Sequence, residues 1–230
     1  MFINFKLLFS ELLFMITNST SSYDTSPYSG RTRKIASIAI FAAVAAVIRI
    51  QSKALSFPFP LLPALKFELW EIPIVVGLLL YGPTVGFSSG SIILILGLII
   101  GSNPTGQIYN FIAFSSMMLG IVITNRLYSR NMKFNIKIST IISTFGGILV
   151  RVLIQVPVML ILLPLPPPLG FNIPLWNNSE LMFTWITGLI IFNAIVAAYT
   201  IPISYGIERS LIKRLIHITW IRLPTKHSKK

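Results

Sequence analysis

Residues 71–100 read EIPIVVGLLLYGPTVGFSSGSIILILGLII, with a single charge at Glu71 and no lysine or arginine. Two apolar runs, 71–81 and 84–100, meet at Gly82-Pro83. That pair ends one helix and starts another, because proline lacks a backbone donor and restricts the residue before it. So little charge leaves no polar face to turn toward water, and the stretch predicts helices whose solvent is lipid.

The same texture extends along most of the chain. It is 54% hydrophobic and 11% charged, with a mean hydropathy of +0.79, against about 25% charged residues in an ordinary soluble domain. Further apolar runs at 35–50, 108–124, 138–163 and 181–205 bring the expected spans to six. The fold class expected is an all-α membrane protein, a six-transmembrane-helix bundle. A Gly/Ser/Asn/Pro turn at 101–106 separates the third span from the fourth, and the proline-rich stretch 164–168 the fifth from the sixth. Residues 1–33 are expected to be an N-terminal extension, mobile or lying at the interface, 34–208 the six-helix transmembrane domain, and 209–230 a basic tail.

Of 19 basic residues, 14 fall in three places. Arg31, Arg33 and Lys34 precede the first span. Arg126, Arg130, Lys133 and Lys137 lie between the fourth and fifth. Arg209, Lys213, Arg214, Arg222, Lys226, Lys229 and Lys230 follow the sixth. Six spans put all three groups on one side, and the positive-inside rule makes that side, with both termini, cytoplasmic. The net charge of +13 is thus a topology signal, and no nucleic-acid partner is expected. Membrane lipid is the expected surroundings, and the cell membrane the expected location.

Polar residues within spans are few, which makes each a candidate for function. Arg151, mid-way along the fifth span, must face the bundle interior, a partner subunit or a polar ligand, with Gln155 one turn later on the same face. Asn110 and Asn193 offer donors and acceptors suited to a heterocycle's edge, or to hydrogen bonds between helices. The segment 57–73 is too apolar for a solvated linker and too proline-rich for a helix, so it should fold back over the bundle's outer mouth. Phe57, Leu65 and Phe67 then either close over a ligand or anchor the chain at the interface. Glu68 and Glu71 are expected at that interface, Glu71 favourably placed at a helix N-terminus; a catalytic carboxylate pair is the weaker alternative. In the first span, Ala39 with Ala43 and Ala42 with Ala46 form small-xxx-small pairs, suited to packing within the chain or to docking a second subunit.

Several chemistries have no residues to carry them. There is no cysteine, hence no disulfide and no thiolate chemistry. No P-loop, HExxH or Cys/His cluster occurs, and His217 and His227 both lie in the basic tail. Carboxylates are nearly missing from the spans, against a self-sufficient proton-coupled carrier. No cofactor, no metal and no catalytic role are expected. A membrane enzyme would rest on Glu68 and Glu71 alone, and a purely structural assembly subunit would bind no small molecule.

The order Phe57-Pro58, then Leu65-Lys66-Phe67-Glu68-Leu69-Trp70-Glu71-Ile72-Pro73, then Gly82-Pro83 with Gly86, resembles the substrate-binding S components of energy-coupling factor (ECF) transporters, most closely the riboflavin-specific ones. Thr105-Gly106-Gln107 with Asn110-Phe111, and Phe192-Asn193, look like that family's fourth and sixth helices. The resemblance covers 36–211. It implies a six-helix fold with both termini inside and a vitamin, riboflavin first, captured near the outer face. It also implies an alanine-rich first helix (Ala39, Ala42, Ala43, Ala46) docking on a transmembrane coupling subunit driven by two ATPase subunits. The substrate-binding set expected is Phe57, Leu65, Phe67, Asn110, Arg151, Gln155 and Asn193. Two positions depart from the pattern: Val196 stands where riboflavin-type relatives commonly show lysine, and Gln107 where an acid is common. Either the site reads riboflavin with other groups, such as Arg151 and Gln155, or the ligand is a different vitamin-like molecule.

Overall fold

The computed structural model describes residues 28–100, 103–131, 136–167, 170–173 and 178–216. The chain divides into two units, Met1–Ile35 and Ala36–Lys230. Of the first, only the opening of a helix belongs to the described residues, so most of the expected extension 1–33 lies outside them. So do Lys133, His217, His227 and the last four basic residues of the expected tail.

Six helices and one hairpin make up the described chain: α1 (Tyr28–Leu55), β1 (Phe57–Phe59), β2 (Leu62–Phe67), α2 (Glu71–Tyr81), α3 (Pro83–Ile99), α4 (Pro104–Asn131), α5 (Ile136–Leu162) and α6 (Ser179–Ile216). α1, α4, α5 and α6 are long and apolar enough to cross a membrane. α2 has 11 residues and α3 has 17, which at 1.5 Å per residue is about 16 and 25 Å.

Local chemistry sets the boundaries. Gly82, at φ 91°, ends α2 in a conformation closed to residues with a Cβ, its N–H bonded to the Leu78 carbonyl at 2.9 Å, and Pro83 opens α3 at a position needing no donor. α4 begins at Pro104, inside the expected 101–106 turn, with Asn103 Oδ1 accepting the Thr105 N–H at 3.1 Å. Asn178 Oδ1 caps α6 by accepting the N–H groups of Glu180 and Leu181. Phe171 and Ile173 return to the end of α5, donating to the Leu162 and Leu163 carbonyls.

The expected back-folded segment is an antiparallel hairpin, the one departure from an all-helical chain among the described residues. Phe57 pairs with Phe67 and Phe59 with Leu62, with a register shift between Pro58 and Phe59. The prolines that forbid a helix also limit the ladder to a few rungs.

α2, α3, α4, α5 and α6 form a closed ring of neighbours, each packed on the next and α6 packed back on α2. α1 joins this ring from outside. The Phe41 ring fills the space over Gly77 of α2, and Ser89 of α3 donates to the Ile38 carbonyl at 3.2 Å. Backbones of α4 and α5 approach so closely that a Cβ on Gly120 would collide with the Gly146 carbonyl, the contact that small residues permit in lipid. Asn125, on α4 about 24 Å from Tyr109 along the axis, ties three helices together. It donates to the Tyr205 hydroxyl at 2.8 Å and accepts from Ser139 and Ser143 at 3.0 and 2.8 Å.

α5 is built inside out. Ser139, Ser143, Arg151 and Gln155, spaced by multiples of four, are buried, whereas Phe145, Leu149 and Leu153 are 71%, 60% and 63% exposed. A helix with polar groups inward and leucine outward suits lipid, not water. The molecule is an integral membrane protein.

Candidate functional site

Two apolar clusters fill the bundle. One, around Trp70, Ile74, Phe114 and Met117, includes Ala45 of α1. The other gathers under the hairpin: Phe59, Leu62 and Leu65 meet Tyr109 of α4, Met159 of α5, and Trp185, Leu189, Phe192 and Val196 of α6. Its aromatic rings interlock, with Phe67 and Phe59 at 5.1 and 5.6 Å from Phe192 and Phe67 at 6.4 Å from Tyr199. Such ring pairs add about 0.5–1.5 kcal/mol each beyond area burial.

Polar groups lie within the same bundle. Arg151, 2% exposed, holds Glu71 in a two-point ion pair, Nη1 to Oε2 at 2.6 Å and Nη2 to Oε1 at 3.1 Å. Its Nε donates to Asn193 Oδ1 at 3.0 Å, and Met117 Sδ lies 3.5 Å from Nη1. Asn193 Nδ2 in turn donates to the Leu189 carbonyl. One guanidinium thus joins α2, α4, α5 and α6. The desolvation of two charges is offset here by fork geometry and a third hydrogen bond. One turn along α5, Gln155 Nε2 donates to the Tyr109 carbonyl at 3.2 Å. The Tyr199 hydroxyl donates to the Glu68 carbonyl at 2.8 Å, fastening α6 to the chain between hairpin and α2.

A second polar group ties α1 to this region. Arg49 stacks 4.9 Å over the Trp70 ring and donates to Gln107 Oε1 at 2.5 Å, while Trp70 Nε1 donates to Glu68 Oε2 at 2.6 Å.

Arg151, Gln155, Asn193, Leu65 and Phe67 of the expected set come together here. Phe57 does not: it is 70% exposed. Asn110 is half-buried beside Tyr109 in sequence. Glu71 is 6% exposed, its carboxylate paired with Arg151. Tyr109, Phe59, Trp185, Phe192 and Tyr199 were missing from the expected set. Aromatic enrichment near the span ends could have pointed to Tyr109, Trp185 and Tyr199, and Phe192 stands next to Asn193 in the sequence. With Glu71 held by Arg151 and Glu68 by Trp70, the two carboxylates do not make a free acid–base pair. Val196 is buried in the apolar cluster, and Gln107 serves Arg49 instead of the site.

On α1 the alanines divide between two faces. Ala39 and Ala43 are exposed and Ala46 is half-buried. Ala42, expected on the docking face, is 3% exposed; a 3.6-residue repeat turns it inward on the side of Ala45, so its role is packing within the chain.

The described residues thus form a ring of apolar helices with a polar interior and an aromatic cluster covered by the hairpin. The model of the family "ECF transporter, substrate-specific component" matches residues 33–208, and the chain belongs to that family. It is 28% identical over 172 residues to the riboflavin transporter FmnP of Bacillus subtilis (strain 168), spanning 72% of this chain and 84% of that one. A solved structure described as "Structure and mechanism of the S component of a bacterial ECF transporter" shares the fold, with a TM-score of 0.52, 18% identity, and coverage of 83% of this chain and 99% of that one.

Proposed function

We propose that the chain is the substrate-capture subunit of an ATP-driven vitamin importer of the cell membrane, that its ligand is riboflavin, and that a transmembrane coupling subunit and two ATPase subunits complete the machine. The observation that carries the reading is the aromatic cluster joined to buried polar side chains beneath the hairpin, the usual make-up of a site for a planar heterocycle. The similarity to a riboflavin transporter supports the choice of ligand, and family membership supports the choice of partners.

In this reading the chain crosses the membrane six times with both termini in the cytoplasm. The short α2 crosses together with the extended segment before it, non-helical backbone being tolerable where protein covers it. Ligand is taken up under the hairpin, near Leu65 and Phe67. Arg151 and Asn193 hold the frame of the site, Gln155 faces the ligand, and Phe57 and Asn110 stand at its approach. Ala39 and Ala43, with Ala46 beside them, form the docking face of α1.

Two surface grooves, of about 460 and 210 Å³, are lined by Thr124, Phe145 and Gly146 with their neighbours, and by Leu78, Pro83 and Asn125 with theirs. Neither borders the aromatic cluster. In this reading the hairpin separates from α6 to admit the ligand, the Phe59 and Phe67 rings parting from Phe192. A Cβ at Gly188 would lie 2.6 Å from Leu62 Cδ1, and the chain has no cysteine of its own. Oxidising a Leu62→Cys, Gly188→Cys double variant is therefore expected to abolish riboflavin binding and uptake, with reduction restoring both. Full binding by the cross-linked protein would reject the hairpin route. Uptake of labelled riboflavin in cells should further require co-expression of the coupling and ATPase subunits. Uptake by this chain alone would reject the partner assignment.

A further inference from the structure

Arg151 and Asn193 look like ligand groups in the sequence, yet the structure commits them to the protein. Arg151 Nη1 and Nη2 donate to Glu71 and Nε donates to Asn193, while the Asn193 amide accepts from Arg151 at Oδ1 and donates from Nδ2 to the Leu189 carbonyl. The uncommitted polar atoms beside them are different. The Tyr109 hydroxyl and Gln155 Oε1 are both buried and both lack a hydrogen-bond partner. Tyr109 is 5% exposed and Gln155 0%, and the two residues are joined by the bond from Gln155 Nε2 to the Tyr109 carbonyl. That bond also fixes which end of the amide is free, since only the NH₂ end can donate. The amides of Asn193 and Gln155 lie against the Tyr109 hydroxyl, near enough to act on it, but neither meets it in hydrogen-bonding geometry.

An unpartnered buried polar atom costs about 1–3 kcal/mol, and no bulk water reaches a membrane interior to relieve it. Two such atoms on directly bonded residues, on helices that line the hairpin-covered cluster, have the character of a binding edge. Gln155 Oε1 can only accept, whereas the hydroxyl can donate. A carboxylate or phosphate would bring no donor to Gln155, and a hydrocarbon would satisfy neither atom. A cyclic amide or imide edge presents a ring N–H next to a carbonyl and satisfies both.

We propose that Tyr109 and Gln155 are the specificity pair of the site, reading the adjacent N–H and carbonyl of a planar heterocycle, with the N–H on Gln155 Oε1 and the carbonyl on the Tyr109 hydroxyl. This assignment rests on the capture reading above and names the atoms that carry its selectivity.

The test compares riboflavin with 3-methylriboflavin, whose imide N–H is blocked, by fluorescence quenching on the full chain in detergent. Wild type is expected to prefer riboflavin by about tenfold or more, the scale of a hydrogen bond whose loss strands a buried group. In Gln155→Met that preference should shrink to within about threefold, the donor no longer having an acceptor to meet. Tyr109→Phe should weaken riboflavin binding about tenfold while its thermal midpoint stays at or above wild type, because it removes only an unpartnered hydroxyl. A merely structural Tyr109 would show the opposite split. Flavin bound by wild type, with the preference intact in Gln155→Met or affinity intact in Tyr109→Phe, overturns the pair alone. If Gln155→Met does not fold, Tyr109→Phe decides. A wild-type chain that binds no flavin overturns the riboflavin reading, and this assignment with it.

Discussion

Arg151→Met is expected to destabilise the protein by about 3–5 kcal/mol, the usual cost of stranding one partner of a buried ion pair. Glu71, 6% exposed, would keep its carboxylate inside the bundle with no cation beside it, and Asn193 Oδ1 would lose its donor. The double variant Glu71→Leu, Arg151→Met should recover most of that loss, since apolar side chains of similar volume can replace a buried pair at little cost. Thermal unfolding in detergent measures both. A single variant as stable as wild type would show that the pair does not hold α2 to α5. The double variant also separates frame from chemistry: folded but unable to bind flavin, it would give the pair a part in shaping the site beyond its part in stability.

Ala43→Leu is expected to act on the other side of the division of labour. Ala43 is exposed on α1, away from the aromatic cluster, and a larger side chain there would hold a docking helix away from its partner. Riboflavin binding by the isolated chain should stay within about twofold of wild type, while uptake in the assembled transporter falls tenfold or more, equivalent to about 1.4 kcal/mol or more lost at the interface. Binding and uptake falling together would contradict a separate docking face. Ala42→Leu makes the contrast, because at 3% exposed it has no room and should lower stability instead.

Where the sequence was readable, the reason was local. Gly82-Pro83 marks the α2–α3 boundary because both residues act on their own backbone. The apolar runs mark the helices because lipid imposes composition. Helix ends were less legible: α4 runs from Pro104 to Asn131 and α6 to Ile216, past the apolar stretches, because helical hydrogen bonding continues into polar sequence where hydropathy gives no sign. The hairpin was visible as a segment that could not be helix, but its register depends on a shift between Pro58 and Phe59 that no alternation announces.

The site was half legible for a related reason. Arg151 and Gln155 stand out as polar residues in apolar surroundings, and the four-residue spacing puts them on one face. Their partners do not stand out. Glu71 is 80 residues from Arg151, and at the start of a helix a carboxylate has a sufficient explanation in the helix dipole. Tyr109 looks like any aromatic near a span end. What distinguishes it is a hydroxyl left without a partner, a property of the packed bundle and not of the residue type.

Calorimetric titration of riboflavin into the detergent-purified chain tests the central claim most directly. The account predicts saturable binding of one flavin per chain, with a dissociation constant of about a micromolar or below, or some −8 kcal/mol and stronger, and a negative heat-capacity change as the aromatic cluster closes on the ring. No heat, and no quenching of flavin fluorescence at a ~hundredfold higher concentration, would contradict it.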